Sequence, residues 1–200
     1  MDVAGRLPRL RATLEEAGCD ALVVTSLTNI AYLTGFTGSA ALLLVGPDFS
    51  LLTTDGRYRQ QSAEELGEAI VDARIEIGPA EEQRLALVAA ADGLARIGLE
   101  AGSVSWARQR RLADEWFPDS EVVATEGLVE ALRRCKDPGE LDRMRAAAAI
   151  ADAALAEVRP HLTAGTSEDE LARALDAAVR RLGSPAAAFA TIVASGPNAA

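Results

Sequence analysis

The sequence is 200 residues long and carries 30 acidic against 20 basic side chains, which gives a formal net charge of −10. Its length is enough for one large domain, or for one domain and part of another. With 49% hydrophobic residues, the chain can bury a sizeable core. The negative charge argues against a surface for nucleic acid or anionic lipid, because both need clustered positive charge.

The sequence also lacks the apolar segments that membrane proteins and secreted proteins carry. No apolar run reaches the ~18 residues that a membrane-spanning helix needs. Residues 1–6 contain no apolar core of a signal peptide. We therefore predict a cytoplasmic protein with no membrane or nucleic-acid partner. Cys19 and Cys135 lie far apart and outside any C-x-x-C pattern, which favours two free thiols over a disulfide.

Helix-like and strand-like patterns alternate through the first part of the chain. Helices are predicted at 7–17, 28–33, 55–66, 81–96, 105–116 and 126–134. Strands are predicted at 21–24, 40–45, 49–53, 69–77, 97–99 and 121–124. The turn residues Gly46-Pro47-Asp48 join the second and third strands as a hairpin. This order predicts an α/β domain with a mixed sheet and flanking helices.

A long helix is predicted directly after this domain, and the boundary falls between about residues 125 and 137. Asp137 can cap the helix, Pro138 is tolerated in its first turn, and Glu140 can reach back to the cap residue. Apolar residues then recur at three- and four-residue spacing, which predicts one buried face. That face consists of Leu141, Met144, Ala148, Ala151, Leu155 and Val158.

The remaining sequence predicts a second helix and a strand. Pro160 stops the first helix, and a second one is predicted from Thr166, with Asp169 three residues on, to Gly183. Two long helices with a short joint make an αα-hairpin. The apolar run at 191–195 predicts a strand.

The residues alone yield no complete active site. There is no G-x-G-x-x-G and no G-x-x-x-x-G-K phosphate-binding pattern. His161 is the only histidine, which excludes a histidine-rich metal site and argues against a Ser-His-Asp triad. We expect His161 to support the carbonyl groups at the end of its helix. No residue of this chain is therefore assigned as catalytic or as a metal ligand.

Four segments, in this order and spacing, resemble the Xaa-Pro aminopeptidase and prolidase family of metallopeptidases, to which creatinase is related. They are Tyr32–Ser39 (YLTGFTGS), Thr54–Tyr58 (TDGRY), Lys136–Glu140 (KDPGE) and Phe189–Asn198 (FATIVASGPN). The resemblance implies an N-terminal creatinase-like α/β domain, which we place at 1–128. Residues 129–200 would then be a linker helix and the first helices and strand of an α+β pita-bread domain.

The resemblance also implies an activity, a cofactor and partners. Such enzymes hydrolyse the peptide bond before proline with two divalent metal ions, often manganese, and are dimers or higher homo-oligomers. Their metal ligands are two Asp, one His and two Glu, and none of these can be assigned to a residue here. We therefore expect residues 1–200 to be part of a longer enzyme, to bind no metal pair and to hydrolyse nothing alone.

Tyr32 and Phe36 are the candidates for contact with a proline-containing peptide. In the oligomers that the resemblance implies, the N-terminal domain of one subunit approaches the active-site mouth of another. The alternative is that Tyr32 and Phe36 only pack against the sheet. Asp55 and Arg57 are expected to cap and pin the helix that they begin.

Two other functions remain open. A creatinase-like amidinohydrolase would keep the fold and act on a guanidino compound. A non-catalytic peptide- or protein-binding module would use the same fold without chemistry.

Overall fold

A computed structural model describes residues 1–163 and 165–199. The chain forms two compact units, the first spanning Asp2–Lys136 and the second covering the chain from Asp137 onward. Helix α6 (Leu128–Arg134) belongs to the first unit, where Val129 is buried in the core. The domain boundary at residue 128 that the sequence suggests stays a prediction. Within the described residues, no helix is long and apolar enough to span a membrane.

The first unit is built on a six-stranded mixed sheet in the order β4-β3-β2-β1-β5-β6. The strands are β1 (Ala21–Val24), β2 (Ala41–Val45), β3 (Ser50–Thr54), β4 (Arg74–Ile77), β5 (Arg96–Glu100) and β6 (Glu121–Thr125). Strands β2 and β3 form the predicted antiparallel hairpin, and β1 also runs antiparallel to β2. The pairs β1–β5, β5–β6 and β3–β4 are parallel. The predicted mixed α/β sheet is confirmed.

Strand β1 lies in the middle of the sheet, and all four of its residues are fully buried. Successive side chains of a strand point to opposite faces, so β1 feeds two separate cores. Leu22 and Val24 pack on one face with residues of α1 (Arg6–Leu14), α2 (Leu27–Thr34) and α6. Ala21 and Val23 pack on the other face with Leu87 of α4 (Ala80–Ala90) and with Leu112 and Phe117.

The predicted helices of the first unit are present, and the boundaries of one helix and one strand are corrected. The helix expected over 81–96 ends at Ala90, because Gly93 adopts a left-handed φ of 78° and Arg96 already belongs to β5. The strand expected over 69–77 begins only at Arg74. Helix α3 (Arg59–Glu68) is followed by a turn in which Ile70 has a φ of 54° and is exposed. Helix α5 spans Trp106–Arg111 and continues into a π-helical turn at Leu112–Trp116.

The second unit contains the predicted αα-hairpin, formed by α7 (Pro138–Val158) and α8 (Glu168–Arg181). The predicted capping box of α7 is confirmed: Asp137 Oδ1 accepts from the Glu140 N–H at 2.8 Å, and Glu140 Oε2 accepts from the Asp137 N–H at 2.9 Å. Helix α8 starts one residue later than predicted. Its cap is Ser167, paired with Glu170, instead of Thr166 with Asp169.

Of the six residues predicted to form the buried face of α7, only Val158 is buried, so the prediction is wrong for the other five. Met144 is 55% exposed and Leu155 56% exposed, whereas Ala154 and Val158 are buried. These two residues lie four positions apart and pack with Ala178, Leu171, Ala174, Leu175 and Val179 of α8. Small alanines on both helices allow the helices to approach closely. The contact with α8 therefore does not involve the largest apolar residues of α7.

The strand predicted at 191–195 is absent from the described residues. The chain there has no regular structure and leads into a 3₁₀ turn at Gly196–Ala199. A strand needs a neighbouring strand to accept its backbone hydrogen bonds. Every described strand belongs to the sheet of the first unit, so the apolar run has no such neighbour in its own unit.

The cap of α7 gives a direct test of this helix start. We expect Asp137→Ala to lower the free energy of unfolding by ~1 kcal/mol, because the Glu140 N–H loses the side-chain oxygen that caps it. Pro138→Ala should change it by only a few tenths (about 0.3 kcal/mol), since proline at this position only pre-sets the backbone. Met144→Asp is the control and should be within about 0.5 kcal/mol of wild type, because the side chain is exposed. Denaturant midpoints of the three variants measure this; a severe loss in Pro138→Ala with neutral Asp137→Ala would contradict it.

Candidate functional site

The start of helix α2 is held by a glutamate from a neighbouring strand. Strands β1 and β5 are parallel, so their carboxyl ends meet at the same edge of the sheet. Glu100, the last residue of β5, is buried there. Its Oε2 accepts from the backbone N–H groups of Thr25 at 2.6 Å and Ser26 at 2.9 Å. The carboxylate therefore fixes the turn through which β1 enters α2.

Asn29 extends this contact into a polar cluster of Asn29, Glu100, Glu130 and Arg133. The side chain of Asn29 is completely buried. Its Nδ2 donates to Glu100 Oε1 and to Glu130 Oε1, both at 2.6 Å, and its Oδ1 accepts from Arg133 Nη1 at 3.0 Å. The polar cluster thereby joins α2 to β5 and α6. A buried amide with all of these partners has one well-defined orientation, which fixes the position of α2.

A cleft of about 320 Å³ lies beside the polar cluster at the same edge of the sheet. Its lining includes Glu100, Thr125, Glu126, Gly127 and Glu130. The carboxylates give the cleft an acidic character, but those of Glu100 and Glu130 already accept hydrogen bonds from Asn29. The contacts of Glu100 and Glu130 therefore hold helix α2 in place.

Tyr32, the first of the two predicted substrate-contact residues, lies on α2 and is partly buried. The Arg6 guanidinium lies over its ring, with the carbon Cζ 4.0 Å from the ring centroid. Arg6 Nη1 also donates to the Tyr32 carbonyl at 2.7 Å. A cation held against both the ring and the backbone keeps Tyr32 in place from the buried side.

Phe36, the second candidate, is buried with 1% of its surface exposed. Its ring meets the Tyr58 ring edge-on, with centroids 5.6 Å apart. The loop that follows α2, residues 36–39, needs glycine at position 38, because a Cβ there would lie 2.2 Å from Phe36 Cζ. Gly35 ends α2 with a left-handed φ of 80°. In this structure, then, Phe36 supports the loop from beneath, and Tyr32 keeps an exposed part.

Helix α3 holds the outer part of the same loop. Glu65 accepts from the Thr37 N–H at 2.8 Å and from the Thr37 hydroxyl at 2.5 Å. Ser39 Oγ and the Tyr58 hydroxyl lie 2.6 Å apart, and this hydrogen bond lowers the pKa of the Tyr58 phenol. The loop is therefore fixed by side-chain contacts on its outer side and by Phe36 on its inner side.

The predicted role of Asp55 and Arg57 is confirmed. Asp55 Oδ1 accepts from the Arg57 N–H at 3.0 Å and so caps the 3₁₀ turn Gly56–Tyr58. The Arg57 guanidinium donates to both carboxylate oxygens, at 2.9 and 2.8 Å, and these bonds lower the pKa of Asp55. The two residues serve the local structure.

Sequence reasoning did not single out Asn29, Glu100 or Glu65. Two of them have a weak signal: Asn29 is a polar residue near the start of a predicted helix, and Glu100 follows a predicted strand. The pairing of the two could not be read from the sequence, because they lie 71 positions apart.

The described residues do not fit a metal pair. Among residues 1–163 and 165–199, no group of three or more His, Cys, Asp or Glu side chains could hold a metal ion. The two cysteines are free thiols, Cys19 buried and Cys135 exposed.

The first unit is a mixed sheet between two helical layers, and the second unit begins with an αα-hairpin. The family model for the Creatinase/Prolidase N-terminal domain matches residues 6–135, and the model for Metallopeptidase family M24 matches residues 142–200. The chain belongs to the creatinase/prolidase family. The resemblance seen in the sequence is therefore confirmed, together with the order of the two domain types.

Similar proteins agree with this assignment. The chain is 32% identical over 191 residues to the uncharacterized peptidase YqhT of Bacillus subtilis. This alignment covers 96% of this chain and 53% of that protein. The solved structure of an Xaa-Pro dipeptidase from Bacillus anthracis matches with a TM-score of 0.85 at 26% identity, over 94% of this chain and 51% of the other. The N-terminal domain of the cytoplasmic peptidase PepQ from Mycobacterium tuberculosis matches 65% of this chain and 99% of its own, at 32% identity and a TM-score of 0.56. The chain thus spans about half the length of the first two proteins.

The polar cluster can be tested with a variant whose free energy of unfolding should depend on pH. In Asn29→Asp, a carboxylate replaces the amide that now donates to Glu100 and Glu130, so three carboxylates would share a buried site. We expect a loss of about 3 kcal/mol or more in the free energy of unfolding at neutral pH, because the polar cluster would then hold three carboxylates against the one cation Arg133. Repulsion from Glu100 and Glu130 disfavours the charged form of the introduced carboxyl group in the folded state. Protonation of that group at lower pH relieves the repulsion, so the loss should shrink as the pH falls.

The matched control for this variant is Gln60→Glu. Gln60 also donates to a glutamate, Glu64, but on an exposed face of α3. This control should change the free energy of unfolding by less than about 0.5 kcal/mol. Equal losses in the two variants, or no dependence on pH in Asn29→Asp, would contradict the structural role assigned to the polar cluster.

Proposed function

We propose that this chain is the front part of a longer, proline-specific metallopeptidase that hydrolyses the peptide bond before proline, as an Xaa-Pro aminopeptidase or dipeptidase. The observation that carries the proposal is the succession of two family matches along one chain, the creatinase/prolidase domain at 6–135 and the M24 peptidase at 142–200. The Bacillus anthracis structure, similar over 94% of this chain, is an Xaa-Pro dipeptidase. These findings support the substrate class without distinguishing between the two types of peptidase.

The cofactor in this proposal is a pair of divalent metal ions, with manganese as the first candidate. The described residues do not fit such a pair. Its ligands would therefore belong to the part of the longer protein outside this chain. Bound metal supplies an activated water and polarises the scissile carbonyl in hydrolases of this kind. No residue described here takes part in bond cleavage.

In this proposal the first unit contributes to the entrance of the active site. Tyr32 is the residue placed to contact a proline-containing peptide, because it is partly exposed and is held by Arg6. Phe36 would act indirectly, by supporting the loop that follows α2. The protein would be a cytoplasmic homodimer or higher homo-oligomer, in which this loop approaches the active site of another subunit. If analytical ultracentrifugation showed that the active enzyme is strictly monomeric, the proposed oligomer would be contradicted.

The activity can be tested with the longer protein and the 200-residue chain side by side. With added Mn²⁺, the longer protein should release the first residue from Ala-Pro or from Ala-Pro-Ala, and a chelator should abolish the release. The 200-residue chain should show no turnover above a heat-treated sample. Hydrolysis of creatine in place of the peptides would favour an amidinohydrolase, and binding of peptides without turnover would favour a non-catalytic module. Turnover by the 200-residue chain would overturn the assignment of the metal ligands.

The role of Tyr32 is tested by removing its ring in the active longer protein. We expect Tyr32→Ala to raise KM for the peptide by about 3- to 10-fold with little change in kcat, since an entrance contact binds substrate and transition state equally. Tyr32→Phe keeps the ring over which Arg6 lies and should stay within about twofold of wild type. Unchanged KM in Tyr32→Ala would show that Tyr32 only packs within its own domain.

A further inference from the structure

Glu168, the first residue of α8, binds the segment Ser195–Asn198 through a set of hydrogen bonds. Its Oε1 accepts from the Ser195 N–H at 2.6 Å and from the Ser195 hydroxyl at 3.0 Å. The Asn198 side-chain amide donates to both carboxylate oxygens, at 3.2 and 3.1 Å. One carboxylate thus holds the two ends of a four-residue turn.

The segment depends on such contacts because it has no strand pairing. Residues 191–195 are irregular in the described structure, and Gly196–Ala199 forms only a 3₁₀ turn. A second described contact also leads to α8, where Asp176 accepts a hydrogen bond from the Thr191 hydroxyl. Helix α8 is therefore the support on which this part of the chain is fixed.

Glu168 is well suited to this role by its place on the helix. The capping box of Ser167 and Glu170 fixes the first turn of α8. Of the three acidic residues in that turn, Asp169 pairs with Arg173 and Glu170 with Ser167, and Glu168 binds the segment. The Ser195 backbone N–H, followed by the Ser195 hydroxyl and the Asn198 amide, lowers the pKa of Glu168. The carboxylate is therefore ionised at neutral pH, the form that accepts hydrogen bonds from all of these donors.

We propose that Glu168 is a positioning residue for the peptidase reaction, acting through the segment Ser195–Asn198, which it holds in one conformation. The inference rests on the proposed function, because both partners lie in the part of the chain that matches family M24. Catalysis depends on placement to within about 1 Å. Loosening a segment of the peptidase domain should therefore lower kcat more than it changes KM.

The contact itself is tested in the 200-residue chain, independently of any activity. In a pH titration followed by NMR, the Ser195 amide and the Asn198 side-chain amide should shift together, with a midpoint below the ordinary range of a glutamate. Both shifts should disappear in Glu168→Gln, while the resonances of α7 and α8 stay in place. In the control Asp169→Asn they should remain. Amides that do not respond to pH in the wild-type chain would overturn the proposal.

The consequence for the reaction is tested in the longer protein. We expect Glu168→Gln to lower kcat for an Xaa-Pro peptide about 10- to 100-fold, with KM changed by less than about twofold. Asn198→Ala, an exposed change that removes two of the bonds, should lower kcat in the same direction by less, and Asp169→Asn should leave it unchanged.

The failures of the two proposals are distinguishable. An active wild-type enzyme with unchanged kcat in Glu168→Gln would overturn the positioning role alone. A wild-type enzyme without Xaa-Pro hydrolysis would overturn the proposed function and with it the positioning role, even if the NMR titration shows the contact. A rise in KM at constant kcat would also contradict positioning, because it would indicate that the segment only binds substrate.

Discussion

The burial of both faces of strand β1 is the constraint on which the first unit depends. A four-residue strand with every side chain buried must have an apolar layer on each side. One layer comes from α1, α2 and α6, and the other from α4 and the residues around the π-helical turn. The connections between strands must therefore cross the sheet on both faces. The parallel pairing of β1 with β5 then places Glu100 at the start of α2.

The position of the candidate site follows from that placement. The polar cluster fixes α2 at its first turn, Arg6 fixes it near its end, and Glu65 holds the loop beyond it. Buried polar contacts of this kind add little net stability, because removing charges from water is costly. Their effect is to select one orientation of α2 over the others that apolar packing would permit. A partly exposed residue such as Tyr32 then has a defined position from which to contact a ligand.

The sequence predicted those parts of the structure that are set locally. They are the apolar run Ala21–Val24, the hairpin at Gly46-Pro47-Asp48 and the capping box of α7, and each depends on a few adjacent residues. The packing face of α7 was predicted correctly only at Val158. The other contact residue of α7, Ala154, is small, and the periodicity of the large apolar residues does not reveal it. The strand expected at 191–195 needed a partner that its unit does not provide.

The candidate site was least predictable, because its contacts join distant positions. Asn29 lies 101 positions from Glu130, and Glu168 lies 27 from Ser195. The family resemblance placed Tyr32 and Phe36 in one of the four family segments but could not show that Phe36 is buried.

The central proposal, that this chain is part of a proline-specific peptidase, is tested most directly by kcat/KM of the metal-loaded longer protein for Ala-Pro and Ala-Ala. A preference for Ala-Pro of about 100-fold or more is predicted, and equal values, or hydrolysis of Ala-Ala alone, would contradict the account.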